Sequence, residues 1–549
     1  MHPTHAIRNT QYAILLGYLL LAALFALTTP PWQNPDEPAH YNYVAFVATE
    51  GRLPVLQMGD YDEAYLQRLK DEKFPPDLSI APVRYEFHQP PLYYILAAPV
   101  YWLSGGSLLA LRLFSALLGA GVIWLLSLCF QTLFPRKPGV VLAATAFVAF
   151  LPMHLSILAS VNNDALAELI IAGGLLVLLR AATDSGQQTA DGGRRTENTQ
   201  LATRNLQLLL GILIGLGFLT KATAYILLPV AVITIALFIT TPTFTIHNSQ
   251  FTPSTGSGDR IHYFFLSLRR ITSSLLPVIL SSLLLGLPLW LRNIATYGGL
   301  DFLGLHWHDR VVTGQPTTAA WIAANGWPVY WERAGEFTFK SFWGVFGWLG
   351  VFMDGRVYTL LLIFSAIVLA GLVAGVRGSR TADGRRQTAP IRADPLDPRH
   401  PRSIGFFVAL LLLAGVAASY VWYNLGFVQH QGRYLFPALF SFGLLVALGW
   451  QEALRPRASV AIAGLLLLWA GILVGTGLVS TGSTGAGALD KWTLLFLAGA
   501  AGTLLVNAFL ERIPGGARLR PILYSLPFVL VILLDAAIPF LYTVPQLAQ

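Results

Sequence analysis

Asn34-Pro35-Asp36-Glu37-Pro38-Ala39-His40 places two carboxylates side by side, directly after an apolar stretch. Adjacent carboxylates at a membrane surface suit a general base with a supporting acid, or a cation site. Capping chemistry predicts a plainer role: Asn34 as N-cap, Pro35 at the first helical position and Glu37 closing a capping box. The two readings are compatible, because a helix N-terminus favours the ionised carboxylate that a base requires. Glu86 and His88 stand before the paired prolines of Tyr85-Glu86-Phe87-His88-Gln89-Pro90-Pro91-Leu92-Tyr93-Tyr94. That stretch is either a rigid structural turn or one that presents both side chains to a substrate. Asp164 and Glu168 are an i,i+4 pair entering an apolar run. An ionisable group inside a span costs roughly 2.5–3.5 kcal/mol, so such groups default to functional candidates. Asp164 also reads as a simple helix cap. Lys221, Arg292 and Arg433 stand at ends of apolar runs, either as snorkelling anchors or as partners for a departing lipid phosphate. Arg433, behind Gly432, is the preferred phosphate contact. His306, His308 and Asp309 mimic metal ligands weakly, and the tryptophans Trp307, Trp321, Trp327, Trp331, Trp343 and Trp348 read first as an interfacial belt.

What must position these residues follows from composition. The chain of 549 residues is 54% hydrophobic and 12% charged, where an ordinary soluble domain carries about 25% charged residues. Polar surface that sparse cannot solvate a globule of this size, so lipid is the natural solvent. The formal charge of +8 does not imply nucleic acid, because many of the basic residues lie in connections between apolar runs, where topology is encoded. The one cysteine, Cys129, sits in an apolar run and excludes an intramolecular disulfide.

About thirteen apolar stretches approach the length of a span, at 11–28, 107–130, 139–158, 164–180, 205–220, 222–240, 271–291, 357–376, 404–424, 433–450, 458–480, 491–510 and 521–543. The expected fold is an all-α integral membrane bundle. The first stretch lacks a small-residue cleavage site at its end and reads as a retained anchor. The distribution of Lys and Arg puts the N-terminus in the cytoplasm and the C-terminus outside, in a multi-pass plasma-membrane protein. Both long connections, 30–106 and 292–356, then lie outside. Tyr61, Tyr65, Leu66 and Leu69 share one helical face in the first of them, which predicts interfacial helices. Segments 181–204, 241–270 and 377–403 are polar and without apolar period, and read as flexible cytoplasmic loops.

Taken in order, these residues resemble the GT-C class of membrane glycosyltransferases. The likeness is to the branch holding protein O-mannosyltransferases, the lipid A aminoarabinose transferase and uncharacterised bacterial relatives. It is carried by Asp36-Glu37, Pro90-Pro91-Leu92-Tyr93-Tyr94, Asn163-Asp164-Ala165, Thr220-Lys221 and Gln431-Gly432-Arg433-Tyr434-Leu435-Phe436-Pro437. It covers residues 1–450, with 451–549 matching only as further spans. The resemblance implies a mannosyltransferase-like enzyme that takes a sugar from a polyprenyl-phosphate donor to a lipid, glycan or protein acceptor, with no nucleic-acid partner. Asp36 is implied as base with Glu37 assisting, and Asp164 as a group holding acceptor or donor sugar. Lys221 and Arg433 are implied at the phosphate, with His40, Glu86, His88, Glu168 and Arg292 as further substrate contacts. No essential metal is implied, although a divalent cation is compatible. A transporter or flippase of a lipid-linked sugar is the alternative, kept by Glu168 and by Asp535 within the last run.

Overall fold

A computed structural model of the protein describes residues 3–190, 197–239, 257–382, 401–476 and 491–548. α1 (Pro3–Thr28) leads into a connection carrying α2 (Glu37–Glu50), α3 (Glu63–Asp71), a 3-10 turn (Tyr85–His88) and α4 (Leu92–Leu103). α5 (Leu108–Leu133), α6 (Pro138–Ala149), α7 (Pro152–Leu158), α8 (Asp164–Ala190), α9 (Glu197–Phe218), α10 (Leu227–Thr234) and the long α11 (Ser257–Tyr297) follow. A second connection holds α12 (Leu305–Val311), α13 (Thr318–Asn325), α14 (Trp327–Trp343) and a hairpin of β1 (Val345–Phe346) and β2 (Val351–Phe352). α15 (Gly355–Ala382), α16 (Pro401–Gly426), α17 (Leu439–Ala453), α18 (Pro456–Gly475), α19 (Lys491–Phe509) and α20 (Arg520–Ile538) complete the bundle. The hairpin is antiparallel, pairing Val345 with Phe352 and Phe346 with Val351.

Among the described residues, nine helices are long and apolar enough to cross a membrane, or ten if α6 and α7 count as one bent span. The apolar stretches expected from the sequence fall on helices, but not all as full spans. Residues 139–158 do not form one straight helix: α6 and α7 meet at 60°. Pro152, which supplies no backbone N–H and pushes the preceding residue out of the helical region, explains the break. Over residues 164–182 α8 is apolar except for Asp164, Glu168 and Arg180, and the apolar stretch of α9, Arg204–Phe218, is short. Helices α8, α9, α11 and α15 also run into the polar segments read as loops. Extending a formed helix is far easier than nucleating one, so polar sequence continues it. The remainder of those segments, 191–196, 241–256 and 383–400, lies outside the described residues, as does residue 240 at the end of the stretch 222–240.

The bundle packs around one large apolar core in which, for example, Phe130 and Phe440 stack with ring centroids 5.6 Å apart. Leu20, Leu284, Leu410 and Trp469 face outward, as apolar residues do on helices surrounded by lipid. Two smaller cores organise the connections. Tyr43 stacks on Tyr94 at 3.6 Å beside Phe87 and Tyr93, and Leu66, Leu69, Phe74 and Tyr85 gather around α3.

The expected face of α3 is therefore buried against protein, although Tyr61 precedes the helix. The two long connections pack on each other at one end of the bundle. Trp307 Nε1 donates to the Leu56 carbonyl at 2.9 Å and Trp348 Nε1 to the Trp32 carbonyl at 3.0 Å. At least these two tryptophans tie the connections together; they do not form a lipid-facing belt.

Candidate active site

Helix α2 begins at Glu37, and Asp36 before it adopts a left-handed backbone with φ of 65°. Such a conformation costs a non-glycine residue about 1–3 kcal/mol and persists only where the surroundings hold it. The capping box expected from Asn34, Pro35 and Glu37 is not formed, because the helix starts later and the Asp36 side chain makes no cap. That carboxylate is used elsewhere. Tyr85 donates its hydroxyl to Oδ1 at 2.8 Å, and Arg433 Nη2 donates to Oδ2 at 2.7 Å. Burial by itself raises a carboxylate's pKa; the Arg433 guanidinium, nearby His40 and both hydrogen bonds outweigh it and hold Asp36 at about 2.

A second pair stands close by. Lys221, at the turn after α9, donates to Asp164 Oδ1 at 2.6 Å. The capping role open to Asp164 is filled by Asn162, whose Oδ1 accepts from the Asp164 backbone N–H at 2.9 Å. Arg433 and His40 both lie near enough to act electrostatically on Asp164 as well as on Asp36. His40 Nδ1 meets the Tyr94 hydroxyl at 2.8 Å. Burial pushes the His40 imidazole below its usual pKa, with Glu86, Asp36 and Asp164 opposing. Glu86 is buried beside His40 and Tyr94, and its Oε2 has no hydrogen-bond partner among the described residues. The structure thus brings Asp36, His40, Glu86, Asp164, Lys221 and Arg433 into one cluster. Side-chain exposures of 25% and 12% for Asp36 and Arg433, and of 25% and 21% for Asp164 and Lys221, leave both ion pairs reachable by a ligand.

Four expected site residues are engaged in other contacts. Glu37 is sealed, its two oxygens accepting from Arg112 Nε at 2.8 Å and Nη2 at 2.6 Å, so it is a brace under the site. Glu168 Oε2 meets His154 Nε2 at 2.7 Å inside the bundle. Arg292 donates to the Pro54 carbonyl and to Asn293, anchoring the first connection. His88 Nδ1 contacts the Tyr85 carbonyl at 3.1 Å, and its ring lies 4.4 Å from that of His308 across the junction of the two connections. Burial, then His308, push the His88 pKa well below its usual value.

Among the described residues no group of three or more His, Cys, Asp or Glu side chains converges as metal ligands. His308 instead pairs with Asp309 at 3.1 Å. Sequence reasoning did not single out Tyr85, Tyr94, Arg112 or His154. Arg112 carried a usable signal, since a guanidinium inside an apolar run demands a buried acceptor.

Arg433 is placed by the chain before it. Gln429 and Gln431 alternate with it, and Arg433 Nε donates to Gln431 Oε1 at 2.7 Å, while Gln431 Nε2 donates to Gln429 Oε1. Between them Gly432 lies flat on α14, its N–H donating to Ser341 Oγ at 2.8 Å. A Cβ at this position would collide with the backbone of Phe342 and Thr338. Gly432→Ala is therefore expected to displace Arg433 and to lower thermal stability by about 1–3 kcal/mol through overpacking. Thermal unfolding in detergent checks this, and an unchanged transition temperature would contradict the close packing.

Several solved structures are similar to the chain. ArnT from Cupriavidus metallidurans bound to undecaprenyl phosphate is 15% identical, with 99% of this chain and 77% of that chain covered and a TM-score of 0.44. The Archaeoglobus fulgidus oligosaccharyltransferase in its apo form is 12% identical, with 93% and 59% covered and a TM-score of 0.42. This chain thus spans less than two thirds of the oligosaccharyltransferase. No curated protein matches the sequence. The family described as "Predicted membrane protein (DUF2142)" matches residues 82–442, a segment that carries Glu86, Asp164, Lys221 and Arg433 but begins after Asp36. With well over half of its length in that match, the chain belongs to the DUF2142 family of membrane proteins.

Proposed function

We propose that the protein is a glycosyltransferase that moves a sugar from a polyprenyl-phosphate donor to an acceptor hydroxyl at the extracytoplasmic face, with Asp36 as general base. One observation carries this reading: two carboxylate–cation pairs, Asp36–Arg433 and Asp164–Lys221, stand together and partly open at the end of an apolar bundle. The donor class comes from the resemblance of the motifs. In the proposed reaction the acceptor oxygen bonds to the anomeric carbon and its proton passes to Asp36. The bond from that carbon to the phosphate oxygen breaks, and its electron pair leaves with the phosphate. Arg433 and Lys221 stabilise the charge gathering there. Asp164, His40 and Glu86 hold sugar hydroxyls, while Glu37, His88, Glu168 and Arg292 keep the connections and helices in position. No step is routed through a metal ion.

The resting pairs also give an order of events. With Arg433 beside it, Asp36 is a weak base, held at about 2. A donor phosphate that draws the guanidinium away removes the interaction that holds the pKa down, so donor binding arms the base. The test uses membranes supplied with radiolabelled polyprenyl-phosphate sugar. Arg433→Met is expected to lower kcat about 10²–10³-fold, with Arg433→Lys recovering part of it. Wild-type turnover in Arg433→Met would remove the phosphate role.

Transport of a lipid-linked sugar is favoured by a separate observation, Asp535, buried within α20 with neither carboxylate oxygen hydrogen-bonded among the described residues. Label that crosses reconstituted vesicles while staying on its lipid would decide for that reading.

A further inference from the structure

The second connection carries no charged residue between Arg310 and Glu332. That stretch holds α13 and the start of α14, and much of it is open. Ala320, Ala323 and Ala324 are exposed. Trp327 and Trp331 are 57% and 64% exposed, their rings stacked at 6.2 Å. A continuous apolar surface of this kind, edged by charge, marks a place where another phase or molecule is met.

Where that surface lies follows from its contacts with α16, one of the candidate spans. Tyr330, with Trp321, Trp327 and Trp331 packed around its ring, donates its hydroxyl to the Asn424 carbonyl at 3.2 Å. Further along α14, the Thr338 hydroxyl meets that of Tyr420 at 2.5 Å. From Tyr330 to Thr338 α14 advances about 12 Å, while Asn424 and Tyr420 are separated by about 6 Å along α16. α14 therefore lies obliquely across the end of the span. Its faces are sorted to match. Trp327, Trp331 and Thr338 recur at helical spacing on one side. Tyr420, which Thr338 meets, stands a turn deeper in the span than Asn424, so this side is turned toward the bilayer. Glu332, Arg333 and Glu336, all exposed, occupy the other side. Trp422 and Leu425, exposed near the end of α16, continue the apolar surface down the span.

We propose that α13 and the start of α14 form an anchor in the bilayer interface, with membrane lipid against Trp327 and Trp331 and water over Glu332, Arg333 and Glu336. The span of α16 ends at Gly426. Asn424 and the aromatic cluster bonded to it thus stand where hydrocarbon gives way to headgroups, the depth at which tryptophan and tyrosine concentrate. The anchor bears on the site. Tyr434, next to Arg433, packs edge-on against Tyr423 of α16 at 5.7 Å, and Gly432 donates to Ser341 of α14. Arg433 is thereby held at the level of the anchor, which is also the level of a phosphate carried on a membrane-embedded chain. The link to donor phosphate rests on the transferase reading; the anchor itself does not.

The experiment is spin labelling of the full chain in phosphatidylcholine nanodiscs, in a background where the buried Cys129 is replaced (Cys129→Ala). Labels on Trp331→Cys and on its neighbour Glu332→Cys are compared for collision with oxygen, which concentrates in lipid, and with a water-soluble nickel chelate. The label at position 331 is expected to favour oxygen and the label at 332 to favour nickel, so that the ratio reverses between adjacent residues. Trp327→Cys provides a second lipid-side position should Trp331→Cys not fold. Nickel-dominated collision on the tryptophan side, or oxygen-dominated collision at 332, overturns the proposal. For the link to the site, the double variant Trp327→Ser with Trp331→Ser is expected to lower transfer from a long-chain polyprenyl-phosphate sugar several-fold and to spare a short-chain, water-soluble donor. Equal loss with both donors, or loss with neither, overturns the depth-setting role. Labels that behave as expected while wild type transfers from neither donor would overturn the transferase reading and leave the anchor standing.

Discussion

Asp36→Asn is expected to reduce sugar transfer about 10²–10⁴-fold, the usual contribution of a positioned general base, while the protein still folds. The substitution is a clean one for this position. Asparagine tolerates the left-handed backbone that Asp36 adopts, so the start of α2 is not strained further. Its amide oxygen still accepts from Tyr85. What disappears is the negative charge opposite Arg433 and the capacity to take a proton. Membranes carrying the variant, supplied with labelled polyprenyl-phosphate sugar, should bind donor at least as well as wild type, because Arg433 is released from its carboxylate. Transfer at the wild-type rate would end the assignment of Asp36 as base. The pH dependence follows with a definite sign. The native pKa of Asp36, about 2, lies below the ordinary aspartate value of about 3.9. Its ion pair therefore supports the fold fully above that ordinary value and is lost as pH falls through the native one. If donor phosphate frees the carboxylate, the acid limb of kcat, which reports the enzyme–substrate complex, lies at higher pH than 2. A kcat that stays level from neutral pH down to the stability limit would show that the base is never released.

How much of this was readable without coordinates divides along physical lines. Asp36 stood out as one of two adjacent carboxylates after an apolar stretch, Asp164 as a carboxylate entering an apolar run, and Lys221 and Arg433 as cations at the ends of such runs; the structure gathers all four. Their partners were not readable. Which cation meets which carboxylate depends on how the helices pack, and the separation of Asp36 from Arg433 along the chain hides the pairing. The capping box failed at Asn34 because tertiary bonds from Tyr85 and Arg433 hold Asp36 in a conformation that local propensity disfavours. Glu37 misled for a related reason. As the neighbour of Asp36 it read as a second catalytic acid, yet consecutive residues at a helix start point in different directions, and this one turns into the bundle. The bend between α6 and α7 was legible from Pro152, but the apolar run on both sides masked it.

Arg112→Met is expected to lower the stability of the folded protein by about 3–5 kcal/mol, the cost of leaving a buried carboxylate without its cation. Arg112 is 3% exposed and Glu37 is fully buried, so water cannot replace the lost partner. The guanidinium also accounts for more than one ion pair. Its Nη1 donates to the carbonyls of Ala26 and Thr29 at 3.0 and 2.6 Å, and Nη2 to that of Pro30 at 3.1 Å. Ala26 lies in the last turn of α1 and Thr29 and Pro30 follow it directly, where helical N–H donors run out, and a cation there also complements the helix dipole. One side chain from the second turn of α5 thus ties the end of α1 to the start of α2, and so sets where Asp36 emerges.

Thermal unfolding in detergent should show the loss directly, and a variant as stable as wild type would refute the brace. The double replacement Arg112→Met with Glu37→Gln distinguishes charge from shape. Removing both charges relieves the buried carboxylate and should recover part of the stability, but the carbonyls of Ala26, Thr29 and Pro30 still lack the guanidinium. Activity is therefore expected to stay below wild type in the double variant even where folding returns, because the carboxylate of Asp36 is aimed by this joint and not by its own helix cap.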